Sequence, residues 1–91
     1  MKLLGPNHVK ADNFEIEIIH RGTVVYRENE MEVSFEREAG YDPEHYTAVY
    51  LSMANEWNVP PGKKIDENQR SQMVINFNKA FKLMGTRLKI E

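Results

Sequence analysis

Two stretches in the first half of the chain, residues 14–18 and 31–36, alternate between apolar and polar residues, the period expected of half-buried β-strands. Apolar side chains occupy every second position in residues 14–18, and a short apolar run follows in residues 24–26. In residues 31–36 one side is apolar and the other is largely acidic. Turn-forming residues at 21–22 and 28–30 separate the stretches, so the pattern predicts a meander of three strands.

The last third of the chain has the apolar spacing of an amphipathic helix, followed by a short strand. The side chain of Asp66 can accept a hydrogen bond from a backbone N–H of the first helical turn, and Gln69 lies at the spacing that completes a capping box. Gly85 favours the left-handed conformation in which helices often end. Residues 87–91 then alternate again and predict a closing strand. The apolar stripe of the helix comprises Met73, Phe77, Ala80, Phe81 and Met84.

Residues 46–52 fit two local structures. Asp42 and Pro43 before this segment are good N-cap and first-turn residues for a helix. The segment itself is rich in aromatic and β-branched residues, which favour strands. On these signals alone, a helix is slightly favoured.

The order of these elements predicts an α+β fold, a small antiparallel β-sheet of four to five strands with one C-terminal amphipathic helix packed on one face. Residues 1–12 carry Gly5 and Pro6 without a clear period and are expected to form an N-terminal arm. Residues 13–91 would then form one domain, which agrees with a chain of 91 residues and 10.7 kDa.

Composition removes several classes of protein and site. The chain has no cysteine, which excludes disulfides and cysteine-based zinc sites. Its apolar stretch at residues 1–4 is too short for a signal peptide or a membrane span. We therefore expect a cytoplasmic protein that does not enter a membrane.

Candidate catalytic residues are sparse. His8, His20 and His45 lie apart and lack the spacing of a metal-binding motif. There is no G-x-S-x-G nucleophile motif and no phosphate-binding glycine motif. We expect no enzymatic activity, no metal and no cofactor.

The charges are divided between two parts of the chain, although the formal net charge is only −2. Residues 28–44 contain seven acidic residues and one basic residue, whereas residues 61–91 contain seven basic and three acidic residues. Either the basic part neutralises the acidic part within the fold, or the acidic part forms a surface for a basic partner. The second interpretation gives these candidate partner-binding residues: Glu28, Glu30, Glu32, Glu36, Asp42 and Glu44.

Two aromatic features bear on the partner. Trp57, before a pair of prolines, can form a lid on the core or an anchor in an interface, and we include it among the candidate partner-binding residues. Phe77 and Phe81 belong to the apolar stripe of the helix and are expected in the core. Binding of nucleic acid through the basic part is therefore not expected, because it would need exposed aromatic rings.

The order and spacing of the features in residues 14–91 resemble the immunity protein 74 family of bacterial polymorphic toxin and contact-dependent inhibition systems. The resemblance is carried by these segments: a strand at 46–52, Trp57 with Pro60-Pro61, a capped segment from Ile65-Asp66, a helix with Arg70, Val74, Asn76 and Ala80, its end at Met84-Gly85, and Leu88-Lys89-Ile90.

The resemblance implies a small cytoplasmic protein that neutralises a co-produced toxin by binding its C-terminal domain, and it implies no catalytic residue. A toxin that cleaves nucleic acid is a natural basic partner, because its active site must attract phosphate. The resemblance also favours a strand for residues 46–52, which is our prediction. The alternatives are a regulatory or structural interaction domain without a toxin partner, and a small nucleic-acid-binding protein.

Overall fold

The computed structural model describes residues 1–39 and 46–91, which form one sheet and one long helix. The seven strands lie side by side in the order of the sequence. A single turn of 3-10 helix, Leu51–Met53, follows the sixth strand. The strands are β1 Lys2–Gly5, β2 His8–Lys10, β3 Glu15–His20, β4 Thr23–Glu28, β5 Met31–Ala39, β6 Tyr46–Val49 and β7 Arg87–Ile90, and the helix is α1, Glu67–Met84.

The α+β class and the C-terminal helix agree with the prediction, but the number of strands does not. The structure has seven strands where four to five were predicted. The two strands that were not predicted, β1 and β2, come from residues 1–12, which we expected to form an arm. Val9 in β2 is fully buried opposite Ile16 of β3. With only three residues, β2 is too short for its period to be recognised in the sequence.

The sheet is also not wholly antiparallel. Strands β1 to β6 pair antiparallel, whereas β6 and β7 pair in parallel. Parallel neighbours need a long crossover connection, and α1 lies in the connection between these two strands. The crossover brings α1 against the sheet face that carries the core.

A two-residue turn joins β4 to β5 and sets the register of the central hairpin. Asn29 and Glu30 have φ angles of 49° and 64°. Two consecutive positive φ angles are the signature of the type I′ turn, whose twist matches that of the strands. Glu28 therefore lies opposite Met31, and Arg27 lies opposite Glu32. The predicted turn at 28–30 is confirmed.

The predicted helix boundaries are confirmed. Asp66 accepts from the Gln69 amide, and the Gln69 side chain accepts in return from the Asp66 amide. Gly85 has a φ of 75°, and its N–H donates to the last carbonyls of α1. Met73, Phe77, Ala80 and Phe81 of the predicted stripe are buried, and Met84 is half-buried.

The prediction for residues 46–52 is confirmed for its first four residues and wrong for its end. Strand β6 stops at Val49, and the chain then turns into the 3-10 helix. The Arg70 side chain of α1 donates to the carbonyls of Leu51 and Ala54, at 2.6 and 2.8 Å. These bonds stabilise the turn, and Leu51 is buried within it. The helix start proposed at Asp42 lies outside the described residues.

Candidate protein-binding surface

The sheet face that does not carry α1 presents a group of carboxylates. Successive side chains of a strand point to opposite faces. Ile16 and Tyr26, paired across β3 and β4, are fully buried on the inner face. Their neighbours along each strand therefore point to the opposite, outer face. We define the acidic face as the five outer-face carboxylates Glu15, Glu17, Glu32, Glu36 and Glu38.

Arg27 lies in the middle of one half of the acidic face and joins three strands. Its guanidinium is 2.8 Å from Glu32, 3.2 Å from Glu17 and 3.8 Å from Glu15. Partial burial disfavours the charged form, but the hydrogen bonds to Glu32 and Glu17 outweigh it and raise the pKa of Arg27. Arg27 thus neutralises part of the acidic face and ties β3 and β5 to β4.

Strand β2 adds a basic margin to the same half. His8 contacts the carboxylate of Glu15, and its Nδ1 lies 4.0 Å from Glu17. Lys10 is opposite Glu15 in the register of β2 and β3. On the β2–β3 side of the acidic face, acidic and basic side chains therefore alternate, and the carboxylates find most of their partners within the protein.

The other half of the acidic face, at the end of β5, is open. Glu36 and Glu38 are exposed. The carboxylate of Glu36 makes no hydrogen bond or ion pair with another described residue, and Glu38 accepts a hydrogen bond of 2.8 Å from the Tyr50 hydroxyl. That hydrogen bond raises the pKa of Tyr50. Two carboxylates are thus available to a partner without breaking an internal ion pair.

An apolar spot adjoins these two carboxylates. A small groove of about 120 Å³ lies between β5 and the 3-10 helix, where Glu36, Tyr50 and Met53 form part of its lining. The Met53 side chain is 65% exposed. An exposed methionine beside charged residues is a suitable contact for an apolar or long aliphatic side chain of another protein.

In residues 1–39 and 46–91, the lysines of the basic part do not pair with the acidic face. Lys89 pairs with Glu91 at 3.5 Å, and Arg70 donates to backbone carbonyls. Within residues 1–39 and 46–91, no lysine of α1 or of residues 63–64 forms an ion pair with a carboxylate of the acidic face. In the described residues, Arg27 pairs with this face instead, with Lys10 beside it, and Arg27 lies one residue before the acidic segment defined in the sequence.

The predicted partner-binding acids occupy three different environments. Glu30 is exposed at the tip of the β4–β5 hairpin, Glu32 is paired with Arg27, and Glu36 is open. Asp42 and Glu44 lie outside the described residues. The structure therefore places Glu32 and Glu36 on one face and leaves Glu30 at its end.

Glu28 belongs to a chain of hydrogen bonds that enters the core. Gln72 donates to Asn76, Asn76 donates to the Tyr26 hydroxyl at 2.8 Å, and Tyr26 donates to Glu28. Burial and the bond to Glu28 raise the pKa of Tyr26 well above its ordinary value. Glu28 therefore fastens the hairpin to α1, and its availability to a partner is reduced.

Trp57 is a core residue in this structure. Its side chain is 1% exposed, its ring centroid lies 6.3 Å from that of Tyr26, and its indole N–H donates to Gln69. This arrangement agrees with the lid on the core and corrects the interpretation as an interface anchor. The ring is too large to leave exposed beside the apolar residues of β4 and α1, so it closes the core under the proline loop.

A second groove lies between the β2–β3 turn and the tip of the β4–β5 hairpin. Its volume is about 400 Å³, and its lining combines the acids Asp12, Glu15, Glu28 and Glu30 with Arg27. Lys10 also lines it, so the groove carries both signs of charge. It extends the polar surface from the acidic face to the hairpin tip.

Sequence reasoning missed Arg27 and undervalued Glu17 and Glu38 as parts of the site. The signal was available in the turn, since a two-residue turn at 29–30 fixes Arg27 opposite Glu32. Glu17 could be added only once the pairing of β3 with β4 was known, and that register contains an irregularity near its end.

Other kinds of site find little support in the described residues. No group of three or more histidine, aspartate or glutamate residues in the described parts could hold a metal ion. The phenylalanines and the tryptophan there are buried and cannot stack on bases, whereas the rings of Tyr46 and Tyr50 are half-buried. Among the helices of the described chain, none combines the length and apolar character required to cross a membrane.

Comparison with known proteins finds no matching family model, no matching curated protein and no matching solved structure. The resemblance to the immunity protein 74 family, based on the order of motifs, stays a prediction.

Proposed function

We propose that this chain is an immunity protein that binds a cognate toxin domain through the acidic face and blocks it without catalysis. The proposal rests on one observation, the open carboxylates of Glu36 and Glu38 on a sheet face that the protein's own helix lysines do not neutralise. The resemblance in motif order supplies the class of partner. We place its action in the cytoplasm, where the toxin would act.

The chemistry of a nuclease-type toxin suits such a surface. An enzyme that cleaves nucleic acid presents lysine and arginine side chains to phosphate groups. A row of fixed carboxylates on a sheet offers those cations an alternative anionic partner. Attraction between the two surfaces raises the association rate and is screened by salt.

The apolar spot beside Glu36 supplies the second component of a protein interface. Stable interfaces have an apolar centre surrounded by polar residues, and a few buried side chains contribute most of the affinity. Met53, already 65% exposed, would be covered by the partner, while Glu36 and Glu38 would contact its cations at the margin. The acidic face would thus guide the partner and the apolar spot would hold it.

The direct test is protection of growing cells. The polypeptide encoded beside this gene would be expressed alone and together with this chain, and growth would be followed. We expect the neighbour to arrest growth, co-expression to restore it, and the two proteins to co-purify. Protection that is complete when Glu36 and Glu38 are both changed to lysine would contradict the assignment of the surface.

A matched pair of charge reversals distinguishes the contribution of the acidic face from the effect of the protein's net charge. Glu56 and Glu67 are exposed acids outside the acidic face. Their double change to lysine alters the net charge by the same amount as the change at Glu36 and Glu38. We expect the Glu56/Glu67 variant to protect like the parent. A neighbour that neither harms cells nor binds this chain would overturn the immunity function.

A further inference from the structure

The two edge strands of the described sheet are protected to different degrees against pairing with another chain. An edge strand exposes unpaired N–H and C=O groups, and proteins commonly guard such edges with charged side chains. Strand β7 at one edge has Arg87 and Lys89 exposed. Strand β1 at the other edge has one exposed lysine, Lys2, beside Leu3 and Leu4, which are 44% and 47% exposed. Within the described sheet, the β1 edge therefore favours pairing and the β7 edge opposes it.

The hydrophobic core extends to the less protected β1 edge. Leu3 of β1 lies opposite Val9 of β2, and Val9 lies opposite Ile16 of β3. Val9 and Ile16 are both fully buried, whereas Leu3, at the edge of the row, is exposed to 44%. A strand added beside β1 would continue this row and bury the open side of Leu3.

We propose that β1 pairs antiparallel with β1 of a second copy of this chain, which joins the two sheets across a two-fold axis. The inference is independent of the proposed toxin. In this register Leu3 faces Leu3 of the second copy, and Lys2 faces Leu4 of the second copy.

The strand is complementary to itself in this register. A two-fold axis requires that each contact occur twice, and here the repeated contacts join leucine to leucine and a lysine stem to leucine. No lysine is placed directly opposite another lysine, an arrangement that would be unfavourable across strands. Lys2 already lies opposite Lys10, so a third cation beside them would be unfavourable. In the proposed register the residue that lies beside Lys2 is Leu4 of the second copy, which carries no charge.

The dimer leaves the open carboxylates accessible. Strand β5, which carries Glu36 and Glu38, is four strands away from β1, about 19 Å at the usual spacing of strands. The pairing is short, because the register of β1 with β2 shifts between Leu3 and Gly5. The buried area falls below about 1,200 Å², so we expect a weak dimer with a Kd on the order of 100 μM.

Sedimentation equilibrium of the full chain over a range of concentrations tests the pairing. We expect the average mass to rise from 10.7 kDa toward twice that value with increasing concentration. The changes Leu3→Lys and Leu4→Lys should each keep the protein monomeric. Circular dichroism verifies that each variant is folded, and Leu4→Lys provides the test if Leu3→Lys disturbs packing against Val9.

The matched control is Leu83→Lys on α1, where the leucine is 42% exposed. This variant should dimerise like the parent. A parent that stays at 10.7 kDa up to about 1 mM overturns the proposal. A parent dimer that persists in both folded edge variants also overturns it, because the contact would then lie elsewhere.

Discussion

At the scale of single residues, Tyr26 connects the core to the acidic hairpin. Its ring contacts those of Phe14, Trp57 and Phe77, with centroids 5.7 to 6.3 Å apart, and its hydroxyl lies between Asn76 and Glu28. A buried polar group is stable only when its hydrogen bonds are made. Tyr26 therefore fixes the position of α1 relative to the β4–β5 hairpin through both packing and hydrogen bonds.

Replacing Tyr26 with phenylalanine should lower stability by about 1–3 kcal/mol near neutral pH, since Asn76 and Glu28 lose a shared partner. The pKa of Tyr26 is raised in the folded protein above its ordinary value of 10.0. The unfolded chain therefore releases the proton first, and the stabilisation is complete below pH 10.0 and declines above it.

The measurement is urea unfolding of the parent and Tyr26→Phe at about pH 8 and about pH 11. The difference in the free energy of unfolding between the two proteins should be smaller at the higher pH. Tyr50→Phe serves as the comparison at the surface, where water can replace the hydrogen bond to Glu38, so its effect and the change of that effect with pH should be smaller than those of Tyr26→Phe. An equal difference at both pH values would contradict the role assigned to Tyr26.

Arg27 has the corresponding role on the acidic face. Changing it to glutamine leaves Glu15, Glu17 and Glu32 without their shared cation. We expect a loss of about 1 kcal/mol, since these exposed or half-exposed ion pairs are individually weak. The loss should shrink in high salt, which screens both the lost attraction and the new repulsion.

Chemical denaturation with urea at low and high salt measures this effect. Lys79→Gln, which removes one positive charge from the exposed side of α1, is the matched control and should change little. A loss for Arg27→Gln that is independent of salt would show that packing of the side chain, and not its charge, stabilises the sheet.

At the scale of elements, the sequence was informative where local chemistry decides structure. The capping pair Asp66 and Gln69, the terminal Gly85 and the turn at 28–30 were all identified, because each depends on residues that are neighbours in the chain. Strands β1 and β2 were missed because they are stabilised by tertiary contacts, such as the burial of Val9 between its neighbours. The end of β6 was missed because Arg70, distant in sequence, holds the turn that follows.

The end of α1 offers a stability test. Gly85 has a φ of 75°, a conformation unfavourable for a residue with a Cβ, whereas nothing lies within 4 Å of a Cβ added there. Gly85→Ala should therefore destabilise the protein by about 1 kcal/mol through backbone strain alone. Thermal unfolding of Gly85→Ala and of Gly5→Ala isolates the effect of backbone strain. A Cβ at Gly5 would also have nothing within 4 Å, but Gly5 does not have a positive φ. Equal stability of the two variants would exclude strain at the helix end.

At the scale of the whole molecule, the separation of charge is partly preserved by the fold. The described part of the sheet places five carboxylates on its outer face, and the helix carries its lysines on the other layer. The sequence predicted the acidic segment, but it did not predict that Arg27 would pair with one half and leave Glu36 and Glu38 open. That division depends on cross-strand register, which a single sequence specifies only near its tight turns.

The most direct test is the rate at which this protein associates with the product of the neighbouring gene. The parent, the Glu36→Lys/Glu38→Lys variant and the Glu56→Lys/Glu67→Lys variant would be compared by stopped flow at low and high salt. We expect the first pair of reversals to slow association by at least about tenfold at low salt and by much less at high salt. The second pair should have a far smaller effect. Equal rates for all three proteins at low salt would contradict binding through the acidic face.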